Sequence, residues 1–167
     1  MDDRWLATGD IAEWRLDGKL QIIDRKKSLF KLAQGEYVRP TFVENICKMS
    51  PFVANAFVYG NSIERYLVAV FQPDFTALDA LAKRLNVDAG SLLTHPQIIS
   101  AVHSDLNAIF DKEQLNGFER VHKFLFVNEE FSAETGVLTA SMKIRDCRFI
   151  STYQYFKPLI DCFQTLI

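Results

Sequence analysis

The apolar positions of this chain fall into short runs set to two different periods. Residues 1–23 read as a hairpin: Ile11-Ala12-Glu13-Trp14 and Leu20-Gln21-Ile22-Ile23 are two strands, and Asp17-Gly18 between them suits a tight turn. The charged stretch from Asp24 to Ser28 separates two apolar runs, as a linker does. Leu29-Phe30-Lys31-Leu32 predicts a strand that enters a loop around Gly35. Pro40 suits a helix start, and Phe42, Val43, Ile46 and Met49 follow at helical spacing, predicting a helix over about 40–49. Val53 to Tyr59 and Tyr66 to Phe71 predict two strands turned by Gly60-Asn61-Ser62. Leu78, Leu81, Ala82 and Leu85 share one face of an amphipathic helix over 74–86. A second such helix covers Pro96 to Glu113, with Ile98, Ile99, Val102, Leu106, Ile109 and Phe110 on its apolar side. Phe124-Leu125-Phe126-Val127 predicts another strand, Glu134-Thr135-Gly136 a turn, and residues 144–166 a terminal helix. This mixture predicts an α+β fold, a small mixed sheet flanked by helices and preceded by a short β-hairpin.

Composition sharpens the picture in a few places. The 167 residues are 49% hydrophobic, enough for one domain with a core and a short lead-in, which excludes a disordered chain. Most of the fourteen phenylalanines belong in that core. A net charge of −2 exerts no global pull on nucleic acid or an acidic membrane, so any anion site must be local. Cys47, Cys147 and Cys162 are odd in number and far apart, which points to free thiols in a reducing, intracellular compartment. No stretch resembles a signal peptide, and the apolar runs fall short of the ~18 residues of a membrane span. Met1 is followed at once by what reads as the middle of a motif, as in a piece cut from a longer polypeptide.

Four places carry candidate chemistry. Asp10 in Thr8-Gly9-Asp10 is, taken alone, a turn aspartate that satisfies nearby amides. Asp24-Arg25-Lys26-Lys27-Ser28 is, taken alone, a solvated charged loop. Together they offer a carboxylate able to accept both hydroxyls of a ribose and an arginine fork able to bind ribose or phosphate. The Lys31–Gly35 loop carries a glycine suited to positive φ. Lys143 ends Gly136-Val137-Leu138-Thr139-Ala140-Ser141-Met142-Lys143 ahead of the terminal helix, where most lysines are merely exposed. His95, His103 and His122 lack metal-ligand spacing, so no metal site is expected. Neither GxxxxGK[ST] nor GxGxxG occurs, which excludes those phosphate loops from this segment.

In order and spacing, Trp5-Leu6-Ala7-Thr8-Gly9-Asp10 and Ile22-Ile23-Asp24-Arg25-Lys26-Lys27-Ser28 resemble the adenylate-forming ligases. Phe30-Lys31-Leu32-Ala33-Gln34-Gly35-Glu36-Tyr37-Val38 narrows the resemblance to long-chain acyl-CoA synthetases, and the likeness runs from Trp5 to about Arg145. It implies the C-terminal part of such an enzyme: residues 1–23 ending the large adenylation domain, 24–28 a hinge linker, and 29–167 a mobile lid. Asp10 would hold the ribose hydroxyls of ATP and of the acyl-adenylate, and Arg25 would reach the nucleotide. Asp24 through Ser28 would be the hinge, with Lys27 the pivot. Lys31 and Gly35 would line the path of CoA during thioester formation. Lys143 would be catalytic, bridging carboxylate and phosphate oxygens as adenylate forms, although Ala140 and Ser141 stand where proline and threonine are common.

The resemblance further implies ATP and CoA, with Mg2+ held mainly by ATP and the large domain. Its expected partners are a fatty acid and that domain of the same polypeptide, with no nucleic acid. Membrane association of the full protein stays open, in the cytoplasm or at ER- or peroxisome-type membranes. Two rival readings remain: a lid for another acid (aryl, bile or medium-chain), and a non-catalytic module that uses Arg25-Lys26-Lys27 and Lys31 as an anion patch.

Overall fold

A computed structural model of the chain describes residues 6–26, 28–128, 131 and 134. The chain opens with strands β1 (Asp10–Trp14) and β2 (Leu20–Arg25), paired antiparallel. Gly18 sits at φ +78°, the left-handed geometry that a tight reversal needs, and Arg15 N–H donates to Lys19 C=O at 2.9 Å. The register shifts between Ile11 and Ala12, a bulge in the ladder. One face of this ribbon is apolar and open: Trp14 pairs with Leu20 and Ala12 with Ile22, while Trp14 is 76% and Ile22 63% exposed.

β2 runs two residues past the predicted strand end. Asp24 pairs with Ile11 and Arg25 with Asp10, so these residues, read as linker, belong to the ladder in this structure. Charged side chains read as loop, but an edge strand needs only its backbone bonds on one side and tolerates polar side chains. After Arg25 the chain turns, with Ser28 N–H donating to Arg25 C=O at 3.0 Å.

The body follows as β3 (Phe30–Lys31), β4 (Tyr37–Val38), α1 (Pro40–Cys47), β5 (Val53–Tyr59), β6 (Leu67–Pro73), α2 (Phe75–Leu85), α3 (Pro96–Lys112) and β7 (Val121–Phe126). β3 and β4 form a small antiparallel ribbon. The main sheet has the order β5-β6-β7, with β6 antiparallel to β5 and parallel to β7. A parallel pair needs a long crossover, and α2 and α3 supply it. Leu67, Val68, Ala69, Val70 and Phe71 of β6 are all buried, as befits a central strand covered on both faces. Val43 and Ile46 of α1, Leu78 and Leu81 of α2, and Ile98, Val102, Leu106 and Phe110 of α3 close over Ala56, Val58, Phe71 and Phe124 in one core.

Local signals explain the element ends. Asp74 caps α2 by accepting from Ala77 N–H at 3.0 Å, and Asn86 ends it in the left-handed region at φ 53°. Pro96 opens α3, where the His95 ring accepts from Gln97 N–H at 3.3 Å. α1 stops at Cys47 rather than 49. Ser50 is buried there, its hydroxyl donating to Asp105 of α3 at 2.6 Å, and this anchor turns the chain and leaves Met49 exposed. β7 begins at Val121, three residues before the apolar run, because Val121 pairs with Leu67 while His122 points outward.

A helix side chain engages each outer strand of the described sheet. The Glu44 carboxylate of α1 accepts from Val58 N–H of β5 at 3.1 Å. On the other side His103 Nε2 lies 3.2 Å from the His122 carbonyl of β7, and Asn107 Nδ2 lies 2.9 Å from His103 Nδ1. A carbonyl only accepts, so the proton of His103 sits on Nε2. Of the predicted turn 134–136 only Glu134 is described, and the predicted helix 144–166 lies outside the described residues.

Candidate functional site

The mouth of the hairpin is built by its turn chemistry. Gly9 adopts φ +80°, and Thr8 Oγ1 accepts from Asp10 N–H at 3.2 Å. Lys26 N–H donates to Gly9 C=O at 2.8 Å, which closes the end of the ribbon. Asp10 and Arg25 therefore lie opposite each other, and Arg25 Nε stands 3.5 Å from Asp10 Oδ1. The Arg25 side chain is 73% exposed, so water screens this pair and it contributes ~0–1 kcal/mol. Carboxylate and guanidinium thus share one solvent-facing edge without being locked together.

Asp24 is bound differently. Its Oδ1 accepts from Arg25 N–H at 2.7 Å, whereas its Oδ2 is buried with no hydrogen-bond partner among the described residues. A buried carboxylate oxygen without a donor is costly, and this one lies where the chain leaves the hairpin.

The second group is the loop between β3 and β4. Lys31 pairs with Tyr37 across the ribbon, its Nζ 5.6 Å from the ring centre. Gly35 sits at φ +95° and donates its N–H to Leu32 C=O at 2.9 Å. A Cβ at Gly35 would meet only Lys31 Cε at 3.7 Å, ordinary contact, so the backbone angle and not space demands glycine here. Ala33 N–H donates to Glu64 C=O at 2.9 Å and Gln34 Nε2 to Arg65 C=O at 3.0 Å, pinning the loop to the β5–β6 turn. Gly60 in that turn is required by space: a Cβ there would lie 2.6 Å from Phe30 Cε2 and 3.1 Å from Leu32 Cδ2.

Two functional candidates escaped the sequence reading. Arg39, the N-cap residue of α1, places its guanidinium carbon 4.2 Å from the centre of the Phe42 ring. The only signal was an arginine three residues ahead of a phenylalanine at a helix start. Of the residues singled out by sequence, the structure brings Asp10 to Arg25 and Lys31 to Gly35. Lys27 and Lys143 lie outside the described residues. Cys47 is fully buried, and burial, aided by the nearby Glu44 carboxylate, pushes its thiol up to about 12, so it is no nucleophile. Among the described residues no group of three His, Cys, Asp or Glu side chains could hold a metal ion, and no helix is long and apolar enough to cross a membrane.

No family model matches the chain. It is 42% identical over 147 residues to the peroxisomal long chain acyl-CoA synthetase 6 of Arabidopsis thaliana, covering 86% of this chain and 21% of that protein. It is 38% identical to long-chain-fatty-acid–CoA ligase 1 of Cavia porcellus, covering 95% of this chain and 23% of the relative. The chain therefore spans between a fifth and a quarter of the length of these relatives. Among solved structures, the adenylation domain of a carboxylate reductase from Mycobacterium chelonae superposes with a TM-score of 0.82 at 26% identity, over 97% of this chain and 24% of that one. The corresponding domain from Segniliparus rugosus, solved with AMP and a co-purified carboxylic acid, gives 0.77 at 29% identity, over 96% of this chain and 23% of that one. The chain belongs to the long-chain acyl-CoA synthetases of the adenylate-forming superfamily, and its fold matches their C-terminal domain.

Proposed function

We propose that the chain is the C-terminal portion of a long-chain fatty acid–CoA ligase, in which residues 1–23 end the large adenylation domain, 24–28 form the hinge and 29–167 form a mobile lid. The observation that carries this reading is the facing pair Asp10–Arg25 at the hairpin mouth, immediately ahead of the turn into the body. In the first step a carboxylate oxygen of the fatty acid attacks the α-phosphorus of ATP, and pyrophosphate leaves. Asp10 accepts hydrogen bonds from the ribose hydroxyls and Arg25 donates to the nucleotide. Lys143 neutralises the charge that develops on carboxylate and phosphate oxygens, which needs no proton transfer.

Rotation about Asp24–Ser28 then withdraws Lys143 and presents the Lys31–Gly35 loop. The CoA sulfur attacks the acyl carbonyl, AMP leaves and the thiol proton is lost. The unpartnered Asp24 oxygen supports a hinge here, because an unsatisfied buried carboxylate oxygen lowers the cost of leaving this arrangement. Mg2+ would travel with the ATP phosphates and the large domain. An intracellular setting, in the cytoplasm or at the face of an ER- or peroxisome-type membrane, fits the free thiol of Cys47 and the peroxisomal Arabidopsis relative.

The open apolar face of the hairpin, Trp14, Leu20 and Ile22, supports the large domain as the neighbour of this segment. The test is to supply the full polypeptide with a long-chain fatty acid, ATP and CoA. Acyl-CoA, AMP and pyrophosphate should appear in equal amounts, and acyl-AMP should accumulate when CoA is left out. The 167 residues alone should bind ATP weakly and turn nothing over; robust thioester formation by them would contradict the reading. Preference for an aryl or medium-chain acid would keep the chemistry and change the substrate.

A further inference from the structure

The face of the β3–β4 ribbon next to the thioester-step loop carries more than that step asks of it. Lys31 and Tyr37 are cross-strand partners. Arg39, two residues beyond Tyr37 and just past the end of β4, is the N-cap residue of α1 in extended backbone, where the alternation of side chains carries it to the Tyr37 side. Arg39 lies over Phe42 at 4.2 Å, and Lys31 over Tyr37 at 5.6 Å. Tyr37 is 63% and Phe42 38% exposed, so these rings are spent on no core. Neither cation makes an ion pair or a side-chain hydrogen bond among the described residues. A guanidinium lying over a ring is held by its charge and leaves its N–H donors available to an acceptor. The strip is therefore an alternation of two unneutralised cations and two aromatic faces on a surface that the Ala33–Glu64 and Gln34–Arg65 bonds hold still.

We propose that Lys31, Tyr37, Arg39 and Phe42 form a docking strip for the phosphorylated adenine-nucleotide end of CoA. Phosphates take the two cations, Arg39 as a fork and Lys31 as a point charge, and a purine has a π-face to lay against an exposed ring. This deepens the assignment of the adjacent Lys31–Gly35 loop to the thioester step and rests on it. The strip adds recognition of the part of CoA that does not react, so its energy goes into holding the thiol in place while the adenylate is attacked.

The experiment compares CoA with pantetheine, which carries the thiol and lacks the nucleotide, in the full polypeptide. Arg39→Gln should raise the KM for CoA about tenfold, the loss of one charge-assisted phosphate contact, and should leave the KM for pantetheine where it was. Phe42→Leu, which keeps the helix start apolar, should raise the CoA value less. Equal KM values for CoA in wild type and Arg39→Gln, or a parallel rise for pantetheine, would overturn the strip. Loss of binding to anionic phosphatidylserine vesicles with CoA kinetics intact would overturn it too, in favour of a membrane contact. Failure of the underlying reading looks different: the wild-type polypeptide would then form no acyl-CoA. Adenosine 3′,5′-bisphosphate binding, measured by calorimetry and weakened by Arg39→Gln, would still decide for or against the strip.

Discussion

Asp10 and Arg25 stand directly across the β1–β2 ladder, with 3.5 Å between Oδ1 and Nε. Because the arginine is largely in water, the pair does little to hold the hairpin together and can be redirected onto a ligand. Asp10→Asn in the full polypeptide should weaken ATP by about ten- to a hundredfold, the range of a charge-assisted hydrogen bond at 1.5–3 kcal/mol. The midpoint of thermal unfolding should move little. An unchanged KM for ATP in pyrophosphate exchange would remove Asp10 from the site.

Lys143→Ala separates the two half-reactions. Pyrophosphate exchange should fall by about 10²–10³, the usual effect of deleting one group that stabilises developing charge. Conversion of added acyl-adenylate and CoA to thioester should persist near the parent rate. Equal loss in both steps would argue against the role given to this lysine.

Gly60→Ala tests how the loop is held. The added methyl would press on Phe30, Leu32 and Leu67, two of them from the strand and loop that carry Lys31. Overpacking of this kind costs ~1–3 kcal/mol. Urea unfolding should shift to lower denaturant, and thioester formation should suffer more than pyrophosphate exchange.

Cys47 makes stability depend on alkaline pH. Its thiol is pushed from 9.0 to about 12 by burial, so the folded state keeps a proton that the unfolded state releases. The contribution is fully present below pH 9 and is lost as pH climbs toward 12. Urea midpoints of the parent should therefore fall more steeply above pH 9 than those of Cys47→Ala. In native protein this thiol should stay silent to Ellman-type reagents until the chain unfolds.

How much of this was legible in the sequence depended on whether a signal was local. Asp74 and the spacing of Leu78, Leu81 and Ala82 marked α2 because cap and stripe lie within one helix. The start of β7 was hidden, since His122 and Lys123 are polar and only the pairing of Val121 with Leu67 and of Lys123 with Val68 makes this stretch strand. Asp24 and Arg25 read as linker for the same reason: their ladder partners Ile11 and Asp10, far upstream, leave no mark in their own composition. Asp10, Arg25, Lys31 and Gly35 could be singled out as candidates because motifs keep their order along the chain. Arg39 and Phe42 were missed because a cation lying on a ring is a matter of rotamers.

The side chains of Glu44 and His103 are each fastened to one backbone group of an outer strand of the described sheet, Val58 N–H on β5 and the His122 carbonyl on β7. A foreign β-segment would have to displace a carboxylate to pair at Val58, or an imidazole to pair at His122. The same two clasps tie α1 and α3 to opposite borders of the sheet, so the body has reason to swing as a single block. A hinge in the short charged passage ahead of β3, as proposed, would then carry that block without bending it.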